Sequence, residues 1–431
     1  MKKGNNSPLL FRSILFIAAV GIIYTPKVII LGFPILPAEL IGIFLSVYIL
    51  IKGIRFTPLL SYFIAYSLII LFSTFYSPLF RYIELPISDI IIATKRTLIG
   101  LLFCAGFFLQ DHEKKSMPLK LVYLYSLPFL VNLAYLVYNI MGGIDFSRYW
   151  IRDPKFQVTL FTSHLIKNGA FTFVGNMGTS VQMGSFCALL SIIFFSLYST
   201  YKKFYFLILH ILFIIILIFT ISRSGLVSFT VGMIYFLFLE RGLFKYIYVT
   251  VILSFISITT IYFWDLIGKF GTLAKLPLST GILLDSSAGH KLYSWSLYFK
   301  GLINNPYIFF SGTGYARHRP STVNGATLFT DGRFTPDQFE SLFLDAISYG
   351  GILCLVVLSI FWYYLYKTTS YYRYLKGSKN FAIMKGVHAF VPGYFCANLF
   401  GNSITTDFFM SFFFILIGIL YWDLKASTEY R

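Results

Sequence analysis

Long apolar segments, separated by short polar turns, run along almost the whole chain. A segment of about twenty apolar residues has the length that crosses a bilayer as a helix, and a helix satisfies its own backbone polar groups within lipid. The pattern therefore predicts an all-α, polytopic membrane helix bundle with about twelve transmembrane helices. The predicted spans are 9–24, 28–51, 57–76, 89–109, 119–141, 179–199, 204–221, 225–240, 244–264, 340–366, 383–401 and 404–423.

Two longer polar stretches interrupt this pattern, at 142–178 and at 265–339. The second separates the ninth predicted span from the tenth, and it contains the segment 291–303, whose apolar residues recur at helical spacing. Such a segment is typical of an amphipathic helix lying on a membrane surface. We interpret residues 1–431 as one multi-span membrane domain in which both stretches are external loops.

The composition agrees with a membrane protein, since 57% of the residues are hydrophobic and only 12% are charged, about half the charged share of soluble domains. When the N-terminus is placed in the cytoplasm, lysine and arginine concentrate in the short cytoplasmic loops, which predicts that both termini are cytoplasmic. The net charge of +18 also includes cations of the two external loops. These cations favour an anionic ligand, with anionic lipid headgroups as the alternative.

A single arginine lies between the seventh and eighth predicted spans, in the fragment 220–225. Inserting an arginine into a membrane costs about 2.5–3.5 kcal/mol, so such residues tend to have a function. The planar guanidinium of Arg223 can bind phosphate oxygens in a bidentate manner. Ser222 and Ser224 add hydroxyl donors, and Gly225 lets the backbone approach a ligand closely. The alternative is an arginine whose side chain reaches to the membrane interface.

The second external loop contains the sequence Ser-Gly-Thr-Gly-Tyr at 311–315. Gly312 and Gly314 predict a tight loop whose backbone N–H groups could bind an anion. Arg317 and Arg319 follow directly and would add positive charge to such a site. An ordinary turn is the alternative interpretation of the two glycines.

The start of the tenth predicted span carries a polar stripe at helical spacing, which should face protein or a water-filled cavity. The stripe consists of Asp337, Ser341, Asp345 and Ser348, with Glu340 one position to the side. A carboxylate at this place could act as a general base. For Asp337, capping of the helix is the competing interpretation.

Two basic residues, Lys95 and Arg96, lie within the fourth predicted span. Arg96 could point into the same cavity as Arg223, or it could pair within its helix or reach to the interface. The sequence contains no Asp-x-Asp, no Cys/His cluster and no nucleotide-type phosphate loop. We therefore expect no metal, no other cofactor and no nucleic-acid partner.

Four short motifs occur in a characteristic order: 222–225, Asn305-Pro306, 312–315 and Gly350-Gly351-Ile352. In this order they resemble the O-antigen ligase and polymerase superfamily, bacterial multi-span enzymes of polysaccharide assembly, and the resemblance covers mainly 204–360. It implies glycosyl transfer at the outer face of the cytoplasmic membrane. The implied donor is an oligosaccharide linked to undecaprenyl diphosphate, and the implied further partners are flippase and chain-length regulator proteins.

The resemblance also assigns roles to individual positions. Arg223 matches the family arginine that holds the lipid diphosphate. Glu340 stands about where ligases carry the histidine of a His-Asn pair, and His290-Lys291 stands where many members carry an arginine. Both departures favour a repeat-unit polymerase over a ligase.

The sequence thus predicts an O-antigen or capsule type polymerase that moves a glycan from its lipid diphosphate to the terminal sugar of another lipid-linked repeat. The expected diphosphate-binding residues are Arg223, Arg317, Arg319, Arg96, Ser222, Ser224, Gly312 and Gly314. The candidate bases are Glu340, Asp337 and His290. The alternatives are a ligase with a lipid or protein acceptor, a transporter with twelve spans, and a headgroup-binding protein without catalysis.

Overall fold

The computed structural model of this 431-residue protein describes the larger part of the chain, and within some helices it describes the backbone alone. The described residues are 28–30, 33–35, 37–54, 56–81, 87–104, 118–127, 130, 164–167, 170–173, 180–220, 222–240, 287–315, 328–329, 339, 341–378, 380–399 and 407–429. The predicted spans 9–24 and 244–264 lie outside these residues.

Helices form nearly all of the described residues. They are α1 (Pro37–Lys52), α2 (Pro58–Arg81), α3 (Ile87–Gly100), α4 (Ser180–Tyr201), α5 (Phe204–Phe219), α6 (Arg223–Leu239), α7 (Ser287–Asn304), α8 (Tyr307–Ser311), α9 (Leu342–Ser370), α10 (Phe381–Leu399) and α11 (Asp407–Glu429). A further helical segment covers 118–127. Short 3-10 turns follow α3 at Leu101–Cys104 and α9 at Tyr371–Leu375.

Two short antiparallel hairpins accompany the helices. The strands of the first are β1 (Val28–Ile30) and β2 (Phe33–Ile35), with Val28 opposite Ile35. The strands of the second are β3 (His164–Lys167) and β4 (Ala170–Phe173), with His164 opposite Phe173. The second hairpin lies within the first of the two long polar stretches.

Three helical segments in the described part of the chain are long and apolar enough to cross a membrane: Pro58–Leu79, Met183–Tyr201 and Leu342–Leu375. Shorter apolar helices cover Phe204–Ile218, Arg223–Leu239 and Phe412–Trp422. The predicted helical membrane bundle is confirmed in this coarse form. The count of about twelve spans stays a prediction.

The second and fourth predicted spans are shorter than the apolar pattern indicates. In the second, 28–30 and 33–35 pair as the strands of a hairpin, and the helix begins only at Pro37. Proline lacks a backbone N–H and fits the first position of a helix, which explains this start. In the fourth, the α-helix ends at Gly100, and a 3-10 turn follows it.

The bundle around α6 is held together by close contacts between small residues. A Cβ atom on Gly225 would lie 2.6 Å from the Cα atom of Gly184 in α4, and one on Gly393 in α10 would overlap the carbonyl oxygen of Ser228. Membrane helices associate through such small residues because lipid supplies no hydrophobic driving force between them. These contacts place the N-terminus of α6 firmly against α4.

We expect Gly393→Ala to lower the free energy of unfolding by about 1–3 kcal/mol, because the added methyl group meets backbone atoms that cannot rotate away. Unfolding of the purified protein in detergent, followed by circular dichroism during an SDS titration, measures the change. Ser359→Ala, at an exposed position of α9, is the matched control and should unfold like the original protein. Equal stability of both variants would contradict the tight contact.

The long helix α9 is broken at Gly351, which has a φ of 71° and a ψ of −168°. The rings of Phe343 and Trp362, on either side of the break, lie 5.5 Å and 5.3 Å from the ring of Phe395 in α10. A straight helix would separate the Cα atoms of these two residues by roughly 28 Å. The first half of α9 therefore bends back toward α10 instead of continuing the axis of the second half.

The bend brings the start of α9 to the Arg223 end of the bundle. Helices α6 and α10 run antiparallel, since Lys385 contacts Glu240 at one end and Gly393 packs against Ser228 farther along. Phe395 lies two residues beyond Gly393, in the direction of the N-terminus of α6. Its ring contact with Phe343 in α9 therefore forms at about the level of Arg223.

Candidate functional site

Ser222 is the N-cap of α6. It has extended backbone angles, a φ of −84° and a ψ of 107°, and its hydroxyl oxygen accepts a hydrogen bond of 3.1 Å from the backbone N–H of Gly225. This arrangement satisfies one of the donors that a helix start leaves without a partner. The same hydroxyl lies 3.2 Å from that of Ser224. Ser222 is buried, so its role here is to begin the helix, and the partly exposed Ser224 is the better placed for a ligand.

Arg223 is the first residue of α6, and its side chain is partly exposed. One terminal nitrogen of its guanidinium, Nη2, is buried. The first turn of α6 contains no acidic residue. The N-terminus of a helix carries about half a positive charge, so a cation in this position is unfavourable unless an anion lies nearby. The guanidinium and the helix end thus contribute positive charge to one place.

A second helix begins beside this point. A Cβ atom on Gly184, in the second turn of α4, would lie 2.6 Å from the hydroxyl oxygen of Ser222. The N-termini of α4 and α6 are therefore neighbours, and their dipoles point the same way. Helix starts with exposed N–H groups bind phosphate and carboxylate groups. The local field at this end of the bundle favours an anion.

The described part of the polar stripe, at the start of α9, faces the protein interior. Ser341, Asp345 and Ser348 are all buried. One carboxylate oxygen of Asp345 accepts a 3.1 Å hydrogen bond from the backbone N–H of Phe339, and Ser348 donates to the carbonyl oxygen of Asp345. Asp345 therefore holds the chain that leads into α9.

Phe339 is fixed from three sides, although the sequence pattern did not single it out. The indole nitrogen of Trp295 in α7 donates a 2.6 Å hydrogen bond to its carbonyl oxygen, and Asp345 accepts from its N–H. Its ring packs 4.7 Å from that of Tyr298 and 5.2 Å from that of Phe329. The chain on both sides of position 340 is thus held, since Ser341 is also buried. The buried acid in the polar stripe was the one signal that could have indicated this anchor.

We expect Asp345→Ala to destabilise the protein by about 1–3 kcal/mol, because the N–H of Phe339 would lose its buried acceptor. Asp345→Asn keeps a side-chain oxygen at the same place and should retain most of the stability. Unfolding in an SDS titration would measure the loss in each variant. Equal loss in both variants would show that the charge, and not the acceptor, is required.

The loop 311–315 has a different geometry from the predicted anion-binding loop. The N–H groups of Gly312, Thr313 and Tyr315 donate to Ile308, Ser348 and Thr74, at 2.9, 2.7 and 3.1 Å. Three of its donors are therefore used within the protein. Gly312 and Gly314 have φ values of 67° and 59°, and Cβ atoms there would overlap backbone atoms of α9 and α2. The two glycines permit this close packing.

The remaining predicted site residues have no described side chains. Arg96 lies in α3 and His290 in α7, where the backbone alone is described. Four others lie outside the described residues: Arg317, Arg319, Asp337 and Glu340. The structure therefore brings together Arg223, Ser222 and Ser224, and it brings the start of α9 to the same end of the bundle.

No protein-family model matches this chain, and no curated protein sequence matches it. Its long apolar helices nevertheless indicate the class of protein, because helices of this length and composition are typical of helical membrane proteins. Its chemistry has to be inferred from the residues at the Arg223 end of the bundle and from the order of its motifs.

Proposed function

We propose that this protein is a glycosyltransferase of polysaccharide assembly, of the repeat-unit polymerase type. It would transfer a glycan from undecaprenyl diphosphate to the terminal sugar of another lipid-linked repeat at the outer face of a bacterial cytoplasmic membrane. The observation that supports this most is Arg223 at the start of α6, beside the start of α4. Positive charge from a side chain and two helix ends suits a diphosphate.

The reaction needs fixed positive charge at the leaving group. The hydroxyl oxygen of the acceptor sugar forms a bond to the anomeric carbon of the donor. The bond from this carbon to the diphosphate oxygen breaks, and the diphosphate leaves with the electron pair. Donors already in position stabilise charge that develops in the transition state, and each contributes about 10²–10³ in rate. Arg223 would supply this stabilisation, with Arg317, Arg319 or Arg96 as further cations.

The proton of the acceptor hydroxyl must also be removed. Glu340 is our first candidate for the base, with Asp337 and His290 as the others. The position of Glu340 supports this choice, because Phe339 before it is hydrogen-bonded to Trp295 and Asp345. A base works best when the chain that carries it is held in place.

A transporter is the second candidate, because α9 is interrupted at Gly351. Interrupted spans often line the ligand sites of transporters. At this break, however, the carbonyl oxygen of Ser348 accepts hydrogen bonds of 2.7 Å from both the N–H and the hydroxyl of Thr313. The break is thus occupied by a neighbouring segment, which favours the enzyme over the transporter.

Deleting the gene in its source strain and separating the surface polysaccharide on a gel tests the proposal. Loss of the ladder of long-chain polysaccharide bands from the gel, with only single repeats left, would support a polymerase. Long polymer that accumulates on the lipid carrier and is absent from its final acceptor would instead indicate a ligase. An unchanged ladder would overturn both and return the transporter to first place.

A further inference from the structure

The segment from the end of α7 through α8 presents large apolar side chains on its surface. Ile303 is 79% exposed and Phe310 is 70% exposed. Phe299 and Tyr307 are also exposed. A contiguous apolar surface of this kind is unfavourable in water and indicates contact with a membrane or with another protein.

The exposed face of α7 changes from polar to apolar along its length. Ser296 is exposed near its middle, Lys300 and Phe299 are exposed about one turn later, and Ile303 is exposed near its end. Residues at these spacings share one face of a helix. The helix therefore has a surface suited to water or headgroups in its middle and a surface suited to hydrocarbon where it leads into α8.

Helix α8 is seated between two of the apolar helices that are long enough to cross a membrane. The hydroxyl of Ser73 in α2 donates a 2.9 Å hydrogen bond to the carbonyl oxygen of Ser311. A Cβ atom on Gly351 in α9 would overlap the carbonyl oxygen of Phe310. The segment is thus fixed to both helices through backbone atoms.

The neighbours of these contacts carry exposed apolar side chains of their own. Phe72, next to Ser73, is 69% exposed, and Leu353, two residues after Gly351, is 56% exposed. On helices long and apolar enough to span, such side chains are the ones that lipid covers. Phe310 therefore continues a surface already suited to lipid.

We propose that 303–311, the end of α7 with α8, is a membrane-embedded element whose exposed face is covered by the acyl chains of bilayer lipid. It does not cross the membrane, since α8 contains only five residues. The backbone at its end is satisfied within the protein, as irregular backbone within a membrane requires. The carbonyl oxygen of Ser311 accepts from the hydroxyl of Ser73, and that of Ile308 accepts from the N–H of Gly312. This inference does not depend on the proposed reaction.

The test is the accessibility of spin labels in the full-length protein, reconstituted into phosphatidylcholine vesicles. Phe310→Cys is labelled and exposed to oxygen, which concentrates in hydrocarbon, and to a water-soluble nickel chelate. Leu353→Cys supplies the lipid-facing reference and Ser296→Cys the water-facing one. The native protein, labelled in the same way, corrects for signal from its own four cysteines.

We expect the ratio of oxygen to nickel accessibility at Phe310→Cys to shift away from the Ser296→Cys value and to match that of Leu353→Cys. A ratio like that of Ser296→Cys would overturn the proposal, because the face would then contact water. Low accessibility to both reagents would overturn it as well, since another protein surface would cover the face. Ile303→Cys repeats the measurement at a second exposed site, so one poorly folded variant does not decide the result.

Discussion

Replacing Arg223 with alanine is expected to reduce the proposed polymer formation about 10²–10³-fold while the protein still inserts into the membrane, because the proposed reaction would lose one preorganised donor to its leaving diphosphate. The side chain is partly exposed and lies at the first position of α6. The cap of that helix is the hydroxyl of Ser222, which alanine at 223 leaves in place. The loss should therefore appear in chain extension and not in the amount of protein.

Lysine at the same position separates charge from geometry. Arg223→Lys retains a positive charge but replaces the planar fork of donors by a single ammonium group. We expect activity between those of the original protein and the alanine variant. The measurement is the length distribution of the polysaccharide in a deletion strain that carries each variant, normalised to the membrane content of the protein.

Arg373→Ala is the matched control, because Arg373 lies in the 3-10 turn after α9, at the opposite end of the bundle. It removes the same side chain and should restore the full ladder. A normal ladder with Arg223→Ala would overturn the diphosphate clamp. A short ladder with both variants would point to a general effect of lost positive charge on the membrane protein.

Replacing Glu240 with alanine is expected to lower the free energy of unfolding by about 3–5 kcal/mol, because it leaves the buried ammonium group of Lys385 without its counter-charge. The Lys385 Nζ atom lies 2.5 Å from one carboxylate oxygen of Glu240, and the hydroxyl of Ser199 donates to the same oxygen. These contacts join α4, α6 and α10 at the end of the bundle away from Arg223. Unfolding in an SDS titration would measure the loss.

The two halves of this ion pair should not be equally costly to remove. The side chain of Lys385 is 9% exposed, whereas that of Glu240 is 32% exposed. Lys385→Met leaves a carboxylate that still contacts water, so we expect a smaller loss than with Glu240→Ala. The double variant should recover part of the loss, because neither charge is then left alone. Losses that simply add would contradict a direct interaction.

The ion pair of Glu240 and Lys385 should also make part of the free energy of unfolding depend on pH in the acid range. Burial raises the pKa of Glu240, but hydrogen bonds from Lys385 and Ser199 and the charges of Lys385 and Lys202 lower it more, so it lies below its ordinary value of 4.5. A lowered folded-state pKa stabilises the protein above the unfolded pKa, and this stability is lost as the pH falls through the folded value. Below about pH 4.5 the original protein should lose stability faster than Glu240→Ala. Parallel curves for the two proteins would exclude this contribution.

Much of the helical framework follows from the order of residues. The apolar runs predicted at 179–199, 204–221 and 225–240 appear as α4, α5 and α6 with ends shifted by one or two residues. Lysines 202 and 203 separate the first two, and the serine at 222 caps the third. Length, polarity and capping are local properties, and local patterns predict them well.

The candidate site was predictable in part. Its arginine stands out because a cation between apolar runs is costly, and the burial of Asp345 agrees with the predicted polar stripe. The anchoring of Phe339 by Trp295 was not predictable, because the two residues lie 44 positions apart and no spacing rule relates them. The role of Gly312 was not predictable either, since a Gly-x-Gly sequence suits a ligand loop and a packing contact equally.

The sequence by itself determined that this is a helical membrane protein, where most of the described helices lie and which cation lies between two apolar runs, because hydrophobic length and polarity are local properties of the chain. Only the tertiary structure decided that α9 bends at Gly351, that the loop 311–315 occupies the bend, and that the start of α9 returns to the level of Arg223. A bend of this kind is stable when the backbone groups it frees find partners elsewhere. Here the partner of the Ser348 carbonyl oxygen is Thr313, 35 positions away. The loop that carries Thr313 is itself held by Thr74, 241 positions from Tyr315, and both separations exceed the range of any local pattern.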